Sequence, residues 1–144
     1  MALVYFDSSA LVKLVVEEPG TALAAQLWDG CDAAVSSRLA YPEVRAALAA
    51  ARRNRDLDAE GFEQAEHAWE EFWGTTRPVE LSEAVERQAG ELAGLHGLRG
   101  ADAVHLASAL AIADVDVVMA VWDRRLHAGA LATGLEVVPA TLAD

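Results

Sequence analysis

The sequence predicts an α/β fold with a mostly parallel sheet, and three observations carry that prediction. Short, continuously apolar segments, typical of strands buried on both faces, recur along the chain. Segments with the apolar spacing of amphipathic helices lie between them, so strands and helices alternate. The length of 144 residues, 53% of them apolar, fits one domain, which we assign to residues 1–144.

The chain begins with a predicted strand followed by two short helices. Residues 3–6 are continuously apolar and form the strand. Ser8 and Ser9 can cap a helix over 10–16, which a Pro-Gly pair ends. A second helix is predicted over 21–28.

A second strand over 33–37 precedes a predicted helical hairpin. The first helix of the hairpin covers 39–54, and Pro42 suits its first turn. Asp58 can cap the second helix, which runs to about Trp73 and carries an apolar stripe.

The second half of the chain continues the same alternation. One of its helices is apolar nearly all round, which indicates a buried helix. The predicted elements are a weak strand over 78–81, a helix over 82–97, the apolar helix over 101–113, a strand over 115–121, a helix over 124–132 and a strand over 135–138.

The net charge of −12 limits the classes of function. Nonspecific nucleic-acid binders carry a basic excess that neutralises phosphates, so we do not expect this chain to coat DNA or RNA. A nuclease remains compatible, since a divalent cation supplies positive charge where the phosphate lies. Cys31 is the only cysteine, and no apolar run approaches the roughly 20 residues of a membrane span. We therefore expect a cytoplasmic protein without membrane contact.

Two acidic residues follow predicted strands. Asp7 comes directly after the first strand, and Asp123 lies just beyond the apolar strand over 115–121. Sites in open α/β sheets form in the crevice outside the carboxyl ends of the strands. Asp7 and Asp123 are therefore candidates for one crevice.

Two further acids lie near predicted helix starts. Asp102 begins the apolar helix, where it is either a cap or part of a wet polar stripe with His105 and Ser108. His105 is read as a satisfied boundary histidine in preference to a metal ligand. Glu43 lies in the first turn of the long helix, where an acid is favourable in any protein.

Carboxylates crowded into one crevice repel one another, which raises their pKa values or opens the cluster. Mg²⁺ or Mn²⁺ would turn that repulsion into coordination, because these hard ions prefer carboxylate oxygens and water. The generic chemistry of such a site is metal-assisted hydrolysis, for example of a phosphodiester.

Four segments resemble the motifs of a known family. They are Asp7-Ser8-Ser9-Ala10-Leu11-Val12-Lys13, Ser36-Ser37 leading to Glu43, residues 99–107, and residues 122–126. Their order and spacing resemble those of PIN-domain proteins, and more narrowly of VapC-type toxins of bacterial toxin–antitoxin pairs. The resemblance spans the whole chain.

This resemblance implies a single PIN domain with a five-stranded, mainly parallel sheet flanked by helices in an α/β/α sandwich. It implies an Mg²⁺- or Mn²⁺-dependent endoribonuclease that cleaves RNA. It also implies a homodimer or a toxin–antitoxin hetero-oligomer, in which a cognate antitoxin inserts a basic segment into the acidic site.

The resemblance also implies which side chains form the site. Ser9 matches a small hydroxyl residue that supports the site, and Val121 departs from the Thr or Ser often found there, which puts one hydroxyl contact in doubt. Asp7 and Asp102 would hold the main ion. The catalytic and metal-binding positions together are Asp7, Glu43, Asp102 and Asp123.

Other functions stay open from the sequence alone. A catalytically silent PIN scaffold would bind RNA or a protein partner without cutting. A receiver domain needs a lysine late in the chain, whereas the only lysine is Lys13. A haloacid-dehalogenase phosphatase needs a second Asp where Ser9 lies.

Overall fold

A five-stranded parallel sheet lies at the centre of the computed structural model, which describes residues 3–113 and 116–143. The strands are β1 (Leu3–Phe6), β2 (Ala33–Ser37), β3 (Arg77–Val79), β4 (Val117–Ala120) and β5 (Glu136–Val138). Their order in the sheet is β3-β2-β1-β4-β5, and every neighbouring pair is parallel. The predicted α/β class with a mainly parallel sheet is confirmed.

Seven helices of the described chain cover the two faces of the sheet. They are α1 (Ser8–Val15), α2 (Thr21–Gly30), α3 (Ala40–Arg53), α4 (Ala59–Thr75), α5 (Glu83–His96), α6 (Gly100–Ala111) and α7 (Arg124–Ala132). The core on one face is formed with α5, α6 and α7, and the core on the other with α1, α3 and α4. The result is an α/β/α sandwich.

The central strand β1 shows why the sheet needs helices on both sides. Tyr5 packs into the core with α6, whereas Val4 and Phe6 pack into the core with α1 and α3. All three side chains are at most 5% exposed. Because β1 lies between β2 and β4, the chain leaves the middle of the sheet at Asp7.

The apolar helix α6 is buried, as its composition predicts. Its side chains Ala103, Leu106, Ala107 and Ala109 are at most 1% exposed and belong to the core shared with α5 and α7. Within residues 3–113 and 116–143, no helix combines the length and the apolar character needed to cross a membrane.

Several element boundaries differ from the predictions. Asp7, not Ser8 or Ser9, caps α1, because its carboxylate accepts a hydrogen bond from the Ala10 amide. The third strand ends at Val79 and does not include 80–81.

The third strand begins one residue earlier than predicted and contains Pro78. The sheet tolerates this proline because β3 is an edge strand that pairs only with β2. The hairpin helix α4 runs two residues beyond the predicted end. Residue 115, the predicted start of the fourth strand, lies outside the described residues.

Candidate active site

The fold brings the four predicted acids to one cleft at the carboxyl edge of the sheet. Asp7 follows β1, and Asp123 follows its neighbour β4. Glu43 and Asp102 lie in the first turns of α3 and α6. All four line a cleft of about 400 Å³ together with Ser9 and Arg99, among other residues.

Asp7 lies at the buried end of this cleft, with 2% of its surface exposed. Its Oδ1 accepts hydrogen bonds from Ser9 Oγ at 2.7 Å and from the Ala10 amide at 2.9 Å. Both bonds fall on one oxygen, so the carboxylate is fixed at the start of α1 while Oδ2 accepts no hydrogen bond from the described residues.

The electrostatic position of Asp7 is unfavourable without a cation. Burial raises the pKa of Asp7 to about 6. The nearby Asp123 carboxylate contributes to this rise, whereas the interaction with His105 and the hydrogen bonds from Ser9 and the Ala10 amide oppose it. A positive ion at this end of the cleft would favour the ionised carboxylate.

The two carboxylate oxygens of Asp123 also have different roles. Oδ1 caps α7 by accepting a hydrogen bond from the Leu126 amide at 2.9 Å. Oδ2 faces the cleft and accepts a hydrogen bond from Arg99 Nη2 at 3.4 Å. One oxygen therefore fixes the carboxylate and the other is open to a cation.

Glu43 is held by a buried histidine. Its Oε1 lies 2.6 Å from His105 Nε2, and His105 Nδ1 lies 2.8 Å from the Tyr5 hydroxyl. Burial raises the pKa of Tyr5 well above its ordinary value, so this hydroxyl keeps its proton and donates to Nδ1. Nε2–H then donates to the ionised carboxylate, which can only accept. The Tyr5–His105 pair thus fixes the direction of Glu43.

Asp102 does not cap α6, because the residue at the cap position is Arg99, whose side chain makes no capping bond. Instead, Asp102 Oδ2 accepts a hydrogen bond from Arg99 Nε at 3.1 Å. The guanidinium thus bridges Asp102 and Asp123. Sequence reasoning missed this role of Arg99, although its position three residues before Asp102 on a helix was an available signal.

The predicted polar stripe on α6 is wrong in two of its three members. His105 is 1% exposed and Ser108 is fully buried, so only Asp102 reaches the cleft. The interpretation of His105 as a satisfied histidine agrees with its two hydrogen bonds. Val121 is also fully buried and does not line the cleft, so its side chain does not contribute to the cleft wall.

Ser9 supports the site from two sides. Besides donating to Asp7, its hydroxyl accepts a hydrogen bond from the Trp122 amide at 3.4 Å. It therefore links the segment that follows β4 to the start of α1.

The four carboxylates are the kind of ligand that a hard divalent ion prefers, but their oxygens are not close enough together to form a ready metal site. Four carboxylates, and no thiolate, face the cleft, and this is the chemistry that Mg²⁺ and Mn²⁺ prefer. Among the described residues, however, no three acidic or histidine side chains are spaced as a ready ligand set. Asp102 and Asp123 are turned towards Arg99, and Glu43 is turned towards His105.

A larger cleft of about 620 Å³ lies beside Trp122. Among the described residues that line it, the acidic one is Glu18, which forms an ion pair with Lys13 at 2.9 Å. This carboxylate is already paired with Lys13, so the described residues of this cleft offer a divalent ion less than the four acids of the smaller cleft do. We therefore place the candidate site in the smaller acidic cleft.

Comparison with known proteins gives a family match and relatives of high and low identity. The family model of the PIN domain matches residues 4–129. The chain is 66% identical over 142 residues, covering 99% of both sequences, to Ribonuclease VapC45 from Mycobacterium tuberculosis (strain CDC 1551 / Oshkosh).

Solved structures share the fold at lower identity. The toxin-antitoxin complex from Klebsiella pneumoniae matches with a TM-score of 0.68 at 18% identity, covering 97% of this chain and 99% of that chain. VapC20 of Mycobacterium tuberculosis, a Sarcin-Ricin loop cleaving toxin, matches with a TM-score of 0.67 at 18% identity, covering 92% and 95%. The family match and the 66% identity together show that this chain belongs to the PIN-domain family, in the VapC branch that its motifs resemble.

Proposed function

We propose that the chain is a metal-dependent endoribonuclease and the toxin of a toxin–antitoxin pair, and that it hydrolyses RNA in the cytoplasm. The observation that carries the proposal is the convergence of four carboxylates, from four separate elements, on one cleft of about 400 Å³. Ionised carboxylates this close together repel one another, which destabilises the cleft unless a cation neutralises them. A relative of 66% identity is named a ribonuclease, which supports the same activity.

We assign Asp7 and Asp102 as the main ligands of Mg²⁺ or Mn²⁺, with Glu43 and Asp123 completing the set, partly through water. Oδ2 of Asp7 and Oδ2 of Asp123 suit metal binding, because the other oxygen of each carboxylate is already used at a helix start. Within the described residues Asp7 Oδ2 accepts no hydrogen bond, and Asp123 Oδ2 accepts only the long one from Arg99. When bound, the ion would supply Lewis-acid activation of a water and would stabilise negative charge on the phosphodiester.

The residues of the chain contribute positioning and proton transfer. Ser9 and the start of α1 hold Asp7 at the buried end of the cleft, where bulk water is excluded. Through its bond to Glu43, His105 leaves the second carboxylate oxygen free. We assign this Oε2 of Glu43 as the acceptor of the proton that the attacking water loses.

We propose two macromolecular partners for the cleft, an RNA substrate and a cognate antitoxin. A guanidinium already lies against Asp102 and Asp123, which indicates that the cleft can hold a basic side chain. The net charge of −12 favours encounter with a basic segment. We propose that the chain forms a homodimer or a hetero-oligomer with its antitoxin, and in the hetero-oligomer a basic antitoxin segment would block the carboxylates.

The direct test is cleavage of total cellular RNA by the purified chain with Mg²⁺ or Mn²⁺, with the new ends mapped. Cleavage at defined sites is expected, and EDTA or Asp7→Asn should abolish it. Asp58→Asn is the matched control, since Asp58 also caps a helix by accepting from a backbone amide, at 2.7 Å, but lies outside the cleft. Equal cleavage by the Asp7→Asn protein would refute the site assignment.

A catalytically silent scaffold is the competing interpretation. It predicts that the metal-loaded chain binds RNA or a partner but cuts no cellular RNA. The presence of all four acids in one cleft favours the enzyme, because a binding scaffold gains nothing from keeping Asp7 ionised in a buried position.

A further inference from the structure

Arg99 holds an unusual position at the acidic cleft. Its Nε donates to Asp102 Oδ2 at 3.1 Å, and its Nη2 lies 3.4 Å from Asp123 Oδ2. The two acids lie at the starts of different helices, α6 and α7. One guanidinium therefore joins two of the four carboxylates across the cleft.

These contacts do not come from burial of the arginine. The Arg99 side chain is 71% exposed, whereas the Asp102 and Asp123 side chains are 13% and 30% exposed. The carboxylates raise the pKa of Arg99, with Asp102 the largest contributor. Charge attraction holds Arg99 in place, and an exposed side chain can move away when a stronger cation arrives.

At Asp123, the oxygen that Arg99 uses is the one that an ion at this site would need. Asp123 Oδ1 is committed to the Leu126 amide, so Oδ2 is its open oxygen. This Asp123 Oδ2 accepts a hydrogen bond from Arg99, as does Asp102 Oδ2. A guanidinium and a divalent ion cannot both occupy this position at hydrogen-bonding and coordination distance.

We propose that Arg99 is a resident counter-cation of the cleft, which neutralises Asp102 and Asp123 until a divalent ion displaces it. This inference rests on the proposed metal-dependent function. Arg99 is thus a positioning residue: it keeps two like charges near each other in the metal-free protein, and it competes with the ion for the same oxygens.

Competition between Arg99 and the ion predicts linked changes in Tm and in Mn²⁺ affinity, which an arginine with only a structural role would not produce. Removing the guanidinium leaves the metal-free carboxylates to repel each other, whereas the metal-bound protein has already released it. Arg99→Gln should therefore lower the Tm of the metal-free protein, and saturating Mn²⁺ should close that gap. By linkage, the same variant must bind Mn²⁺ more tightly.

Two control variants separate this effect from a general change in charge. Arg125→Gln removes the same charge from the same rim, and no ion pair joins Arg125 to an acid in the described part of the chain. Arg99→Lys keeps a cation at the position. Both are expected to bind Mn²⁺ much as the unmodified protein does.

The test is the Kd for Mn²⁺, measured by titration of the free-ion EPR signal, together with Tm in the absence and presence of the ion. Two exposed contacts predict that Arg99→Gln tightens binding by about three- to tenfold. Equal or weaker binding of Mn²⁺ by Arg99→Gln, or a Tm gap that saturating Mn²⁺ leaves unchanged, would overturn the role of Arg99 alone. Failure of the unmodified protein and all variants to bind Mn²⁺ would overturn the metal-dependent function and this inference together.

Discussion

Replacing Asp7 by Asn should stabilise the metal-free protein while destroying its activity. The Asn side-chain oxygen can keep both hydrogen bonds that now reach Asp7 Oδ1, from Ser9 and from the Ala10 amide. The substitution therefore preserves the cap of α1. What it removes is a negative charge that is 2% exposed and lies near other carboxylates.

The size of the effect follows from the pKa of Asp7, which burial raises from 3.8 to about 6. The folded protein binds this proton more tightly than the unfolded chain does, so the contribution of Asp7 to stability is complete below pH 3.8. It is lost as the pH rises towards and through about 6. The difference in pKa corresponds to about 3 kcal/mol in the free energy of unfolding at pH 7.

The assay is urea or thermal unfolding of the metal-free protein and its Asp7→Asn variant between pH 4 and pH 8. The two should have similar stability near pH 4, and the variant should become more stable as the pH rises. At pH 7 a gain of about 3 kcal/mol would raise Tm by roughly 5–10 °C. Asp58→Asn, at an exposed cap, serves as the control and should show no comparable gain.

Addition of Mg²⁺ or Mn²⁺ should reverse the order of stability. The unmodified protein gains binding free energy from the ion, whereas the variant has lost a main ligand. An Asp7→Asn protein that is no more stable than the unmodified protein at pH 7, in the absence of metal, would show that burial and nearby carboxylates do not destabilise ionised Asp7.

Three further predictions concern one residue that positions Glu43 and two residues that support the fold. His105→Leu leaves Tyr5 and Glu43 without their shared hydrogen-bond partner, so RNA cleavage should fall and the free energy of unfolding should decrease by about 2 kcal/mol. His105→Gln should restore part of both, and equal cleavage by the Leu variant would contradict the positioning of Glu43. Leu48→Ala removes a fully buried side chain from the core that α3 and α4 share with the sheet, and it should lower the free energy of unfolding in urea by about 2–5 kcal/mol. A decrease below about 1 kcal/mol would contradict this packing. Gly20→Ala should lower the free energy of unfolding by at least about 1–2 kcal/mol, because φ is +97° and the new Cβ would lie 2.8 Å from Lys13 Cε. An unchanged Tm would contradict this geometry.

The positions of Asp7 and Asp123 could be predicted from the sequence because they depend on a local signal and a general rule. Each acid follows an apolar strand, and the carboxyl ends of parallel strands meet at one edge of the sheet. The order of the strands then places β1 beside β4. The structure agrees with this reasoning for both residues.

Glu43 could not be predicted on the same physical ground. A first-turn Glu is favourable in any helix, so only the family resemblance distinguished it. What fixes its direction is His105, a residue 62 positions later in the chain. A contact of that separation depends on how α3 and α6 pack on the sheet, which the local sequence pattern does not contain.

The same limit applies to the polar residues of α6. Spacing alone placed His105 and Ser108 on the face of Asp102, yet both are turned into the core. Tyr5 draws His105 inward through a buried hydrogen bond. The bridge from Arg99 to Asp123 likewise joins two helix starts that come together only in the folded chain.

The chemical nature of the cleaved RNA ends shows whether the acidic cleft uses a divalent ion to hydrolyse RNA with water as the nucleophile. The purified chain should be incubated with RNA and Mn²⁺, and the ends identified. Attack by water predicts a phosphate monoester on one new end, a hydroxyl on the other and no 2′,3′-cyclic phosphate, with cleavage lost in EDTA. Cleavage that persists in EDTA and leaves cyclic phosphate ends would contradict the account, because the RNA 2′-hydroxyl would then be the nucleophile and the four carboxylates would hold no ion.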